Sequence, residues 1–124
     1  MNLDQYDNDA EKITALAMHT YDEIAGFLGT LPQPIQVPPM MEVSIGDALT
    51  AMVDARRKLR SEPVSEDARN AAIMAILTWI SGVNLVMIQR EPDGSESYLL
   101  EAAAFQLLET AHYTQKVHKL LTTR

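Results

Sequence analysis

Apolar residues recur along most of this chain at spacings of three and four, the period of a helix buried on one side. From about Asp7 to Leu28 the repeating positions are Ile13, Leu16, Ala17, Thr20, Ile24, Phe27 and Leu28. Asp4 or Asp7 can cap the start of that helix and Gly29 can end it. Pro32, Pro34, Pro38 and Pro39 then forbid helix, so residues 30–43 are expected to run as an extended, polyproline-like linker. That stretch is long enough to cross from one end of a bundle to the other, and the first two helices need not be antiparallel neighbours.

Ser44 followed by Asp47 is a capping pair that opens a second helix, in which Ile45, Ala48, Leu49, Met52, Val53 and Leu59 are expected to face inward. The helix should stop near Ser61, before Pro63. Ser65, with Glu66 and Asp67 behind it, starts a third, because a side-chain acceptor and two carboxylates suit the exposed N–H groups at a helix start. It should continue to about Arg90. Pro92, Asp93 and Gly94 form a turn, and Ser95 or Ser97 begins a fourth helix that reaches about Leu121.

No segment alternates apolar and polar residues as a half-buried strand would, and no internal repeat is visible. The expected fold is therefore all-α: one domain over residues 1–124, four helices in a bundle-like arrangement, and an almost wholly apolar third helix at its centre. Residues 71–89 carry no formal charge, a run close to the roughly 20 apolar residues that cross a bilayer. A core helix buried on nearly all sides is the preferred reading. Thr78, Ser81, Gly82, Asn84 and a mid-segment Trp79 suit a lone span poorly, and the neighbouring helices each carry an apolar stripe that needs covering.

Composition narrows the function classes. The apolar share of 47% with 22% charged residues is that of a globular chain. A formal charge of -7 opposes association with phosphate backbones, whose affinity comes mainly from Lys and Arg, and suits a basic partner better. With no cysteine there is no disulfide, thiol nucleophile or thiolate metal site, which fits a reducing, cytoplasmic setting. The first residues hold Asp4, Asp7, Asp9 and Glu11 and no apolar run, which argues against a secretory leader.

Candidate chemistry is sparse. Glu109 and His112 have the Glu-x-x-His spacing of di-iron bundles, but a second copy is absent and both fall away from the expected inner stripe of the fourth helix. That stripe is Leu100, Ala104, Leu107, Ala111, Thr114, His118 and Leu121. The inner-helix carboxylates Asp22, Glu23, Asp47 and Asp54 lack the Glu-x-x-Glu repeats of helical nucleotide pyrophosphatases, and no phosphate loop, nucleophile elbow or His-Glu-x-x-His occurs. No metal or cofactor is expected. His19, Asp22 and His118 are the residues from which a polar pocket could be built, with His19 near Asp22 and Glu23 as an acid–base pair. Arg56, Arg57, Lys58 and Arg60 form a basic cluster that could touch phosphate, although cations in a last turn also simply complement the helix dipole.

Two faces suggest packing. Ala71, Ala75, Thr78 and Gly82 make one side of the third helix flat, so another helix can approach it closely. Tyr98, Ala102, Phe105, Tyr113 and Leu120 form a second apolar stripe on the fourth helix, with Glu109 and Lys116 among them, as at a protein interface. The leading expectation is a non-catalytic helical interaction module of the adaptor, chaperone or inhibitor type, as is common in bacteria and phage. It would bind itself as a homodimer, or another protein, through that stripe and the linker. The second expectation is a small helical enzyme or ligand-binding bundle using the polar pocket. The third is a nucleic-acid-associated protein using residues 56–60.

Overall fold

The computed structural model describes residues 9–90 and 97–122. It is all helical: α1 (Asp9–Gly29), α2 (Ile45–Leu59), α3 (Glu66–Arg90) and α4 (Ser97–Thr122), with a short 3-10 turn at Met40–Glu42 inside the linker. The proposed Asp4 or Asp7 cap, the turn at residues 92–94 and the alternative start at Ser95 lie outside the described residues. Two serines open helices as expected. Ser44 Oγ accepts from Asp47 N at 3.1 Å, and Ser65 Oγ accepts from Ala68 N at 3.1 Å. Gly29 ends α1 without a left-handed cap. The last carbonyls of α1 are instead met by Thr30 N on Phe27 O at 3.1 Å and Ile35 N on Leu28 O at 3.0 Å.

The linker makes the crossover its length allows. Ile35 is tied to the end of α1, Tyr21 Oη donates to Pro38 O at 2.6 Å, and Met40 and Ile45 reach Thr14 and Met18 near the beginning of α1. α2 therefore starts beside the start of α1 and runs the same way. At its far end Glu62, buried to 3% exposure, accepts from Gln33 N at 3.0 Å. Arg69 closes the same corner, donating to Leu59 O, Glu62 O and Val64 O. Leu31 and Ile35 are buried, so the proline-rich segment is in part core.

α3 is the centre, packing on α4, α1 and α2. Trp79 is wholly buried, and its indole N–H donates to Ala17 O at 2.9 Å while its ring leans on Tyr21 at 5.3 Å between centroids. Against α4, Thr78 and Thr110 share a hydrogen bond of 2.8 Å, and Gly82 meets Leu107 and Ala103. Rising numbers on α3 thus meet falling numbers on α4, so the pair is antiparallel and the small-residue face is its seam.

Three expectations are corrected. α3 is not covered on nearly all sides: it is long and apolar enough to cross a membrane, yet only 44% of its most apolar window is buried, and Met74, Leu77 and Ile88 are exposed. Ile45 and Val53 do not face inward; α2 buries Ala48, Met52 and Leu59 as expected, with Ala55 beside them. On α4 the buried line is Ala103, Leu107, Thr110, Thr114 and Val117, which keeps Leu107 and Thr114 of the expected stripe but is turned by about 50° from it at 100° per residue. The reason is the flat face of α3, which seats small and hydroxylated residues where a size-based reading seeks leucines.

Burial, and secondarily the charge of Asp22, raises the Tyr21 hydroxyl above its ordinary 10.0. The folded chain then holds this proton at pH values where the unfolded chain has lost it, so stability is intact below about pH 10 and falls as pH rises beyond. Melting curves at about pH 8 and about pH 10.5 should show Tyr21→Phe to be less stable at the lower pH, by about 1 kcal/mol for the lost bond to Pro38, but to decline less steeply than wild type. Equal slopes would remove Tyr21 from the alkaline limb.

Candidate functional site

Two regions concentrate features that packing leaves unused. The first is the outer side of the α3–α4 pair. The seam residues of α3 fix its phase, so Asn70, Met74, Leu77, Ser81, Asn84 and Ile88, at spacings of four and three, form the side turned outward. On α4 Tyr98 and Phe105, 63% and 60% exposed, point away from the seam, and Leu108, 55% exposed, falls on the flank of Gln115, towards α1. Of the predicted stripe, Tyr98 and Phe105 thus point outward. Ala102, Tyr113 and Leu120 are half-buried, and the last two pack against the edge of the core. The His112 ring stands edge-on to Tyr113 at 5.6 Å.

The linker could have covered this face, but its contacts run along α1 and to Glu62. Leu108 and the α3 contribution were not anticipated. One signal for the latter was present: Asn70, Ser81 and Asn84, polar residues of an otherwise apolar run, fall on one line of the helix.

The second region is a cavity of about 460 Å³ between α1 and α4, lined by Glu23, Gly26, Phe27, Thr30, Thr114, Gln115 and His118. Two of the three residues proposed for a polar pocket belong to it or adjoin it. His118 is in the lining, and His19 Nε2 stands 3.5 Å from Glu23 Oε1. Asp22 is exposed and outside the lining, and the carboxylate that the fold supplies is Glu23. Thr114, expected to face inward, is buried and meets Glu23 Oε2 at 3.5 Å, while the turn of α4 leaves His118 as an exposed rim residue. A smaller apolar cavity of about 90 Å³ lies under the 3-10 turn beside Met18, Met40 and Met87.

The basic cluster sits on the last turn of α2 and around its end. Arg57 and Lys58 pair with Asp54 at 3.7 and 3.1 Å, Arg56 is half-buried, and Arg60 is exposed just past the helix. Their charges are spread around the helix end and partly answered by Asp54 rather than focused on one surface. Among the described residues no three His, Asp or Glu side chains come together as metal ligands; Glu109 is half-buried and His112 is exposed.

No protein-family model, curated protein or solved structure matches the chain.

Proposed function

We propose that the chain is a non-catalytic helical interaction module that works as a homodimer, with the outer side of the α3–α4 pair as its contact surface. The observation that carries this is the set of exposed apolar side chains turned outward on one antiparallel pair, Met74, Leu77 and Ile88 on α3 with Tyr98 and Phe105 on α4, each more than a third exposed. Aromatic and long aliphatic side chains at such density mark contact surfaces, with polar residues at the margins. Asn70, Ser81 and Asn84 interrupt the patch, which suits a protein partner better than lipid, where unpaired amides are unfavourable.

The sequence of α4 supports a second copy as the occupant. A two-fold contact places each residue against its symmetry mate. An antiparallel crossing centred between His112 and Tyr113 sets Phe105 beside Leu120 of the other copy, and Glu109 beside Lys116. Among the described residues neither Glu109 nor Lys116 belongs to the ion pairs found at His19–Glu23, Arg57–Asp54 and Lys58–Asp54. Acid meets base twice in such a pair without any further change.

The test combines Phe105→Asp with a charge swap, read by sedimentation equilibrium. Phe105→Asp should give a folded single chain with unaltered helical circular dichroism. Glu109→Lys should weaken dimerisation on the order of tenfold, since two exposed pairs become repulsive, and Glu109→Lys with Lys116→Glu should restore it. A dimer indifferent to Phe105→Asp would place the contact elsewhere. Loss without restoration would reject the crossing.

A further inference from the structure

We infer that the cavity between α1 and α4 is a binding site for a small organic cation, an ammonium or guanidinium group carried on a short apolar body. Its volume of about 460 Å³ lies in the range of small-ligand pockets. Glu23 supplies the only formal charge in the lining, which contains no Lys or Arg, and a chain of net charge -7 surrounds it. That field concentrates cations and repels anions.

The carboxylate is poorly engaged by its own chain. A carboxylate offers about four acceptor positions. The contacts of Glu23 are one on each oxygen, both at 3.5 Å, the limit of a hydrogen bond. The Thr114 hydroxyl has a better acceptor in Ala111 O at 2.8 Å, so its proton is largely committed there. Glu23 is 32% exposed, and it opens on a cavity rather than into the core. A ligand with several N–H donors satisfies it; a carboxylate or phosphate does not.

Gly26 is the second, independent observation. Glycine within a helix is less stable than alanine there, and it is usually retained for a positive φ or a close approach. Gly26 has neither: its φ is not positive, and a Cβ built on it meets nothing within 4 Å. Folding therefore gives no reason for glycine at 26. A side chain there would project into the cavity, so glycine keeps the space beside Glu23 open, with Phe27 as an apolar wall.

The experiment uses the full chain and 2-phenylethylamine and agmatine as probes, with 2-phenylethanol and 3-phenylpropionate as neutral and anionic controls. Binding is followed by amide chemical-shift changes up to about 10 mM, a tenfold margin over a millimolar Kd. The cations should shift Glu23, Gly26 and Thr114, and the controls should not. Glu23→Gln should weaken binding at least about tenfold, the loss of one charge-assisted contact. Gly26→Leu should abolish binding. Gly26→Ala should raise Tm by a few degrees, as relief of a glycine in an unstrained helix does, while weakening the ligand. No shift with either cation, equal binding of the controls, or full affinity in Glu23→Gln would each overturn the inference. So would a Gly26→Leu protein that still binds.

Discussion

Trp79→Ala is expected to be the most damaging single substitution in the chain, at about 3–5 kcal/mol, the usual loss for a large aromatic removed from a core. Trp79 is wholly buried and links three parts of the fold. Its indole N–H bonds Ala17 O on α1, its ring leans on Tyr21, and Tyr21 in turn holds the linker through Pro38 O. Domains of this size have about 5–15 kcal/mol in all, so the variant should be marginal at 37 °C. Trp79→Phe separates the two contributions: it keeps an aromatic body and loses the hydrogen bond, so its cost should be about 1–2 kcal/mol. Urea unfolding of both variants checks this. A Trp79→Ala protein within about 1 kcal/mol of wild type would show that the α1–α3 contact is not organised around this side chain.

Gly82→Leu should cost about 3 kcal/mol or more, through overpacking rather than through helix propensity. A Cβ at 82 would lie 2.8 Å from Leu107 Cγ and 2.9 Å from its Cδ2, with Ala103 O at 3.4 Å. Leu107 is itself wholly buried, so it has little room to give. Gly82→Ala exposes the opposition of terms. Alanine favours the helix by about 1 kcal/mol. Overpacking typically costs about 1–3 kcal/mol, so the net should be a modest loss. Shortening Leu107 should relieve it, making Gly82→Ala with Leu107→Ala less harmful than the sum of the single changes. Strict additivity in that double-mutant cycle would mean that the seam is not in contact at Gly82. The contrast with Gly26 is instructive: one glycine is required by a neighbouring helix, and the other has open space where its side chain would be.

How much of this was legible from residues follows from whether the signal is local. Ser44 and Ser65 announce helix starts because a cap is decided within three residues, and both bonds form. The prolines of 30–43 announce a break for the same reason. The flat face Ala71, Ala75, Thr78 and Gly82 was legible because small residues at helical spacing permit one thing, close approach, and α4 takes it.

The phase of a helix is a different matter, since it depends on which neighbour it meets. Thr110 and Val117 belong to the buried line of α4 because Thr78 and the small face of α3 receive them, and a single-helix wheel favoured Leu100 and His118. Long-range ties between polar groups, Glu62 to Gln33 N, Arg69 to the end of α2 and Tyr21 to Pro38, leave no periodic trace and emerged only with the fold.

Self-association is the central claim, and the most direct measurement is molar mass by light scattering after size exclusion, without detergent, for wild type and Phe105→Asp. Twice the chain mass for wild type and a single folded chain for the variant is the predicted result. A wild-type protein that elutes as a single chain at every concentration, or one recovered only in detergent, would contradict it.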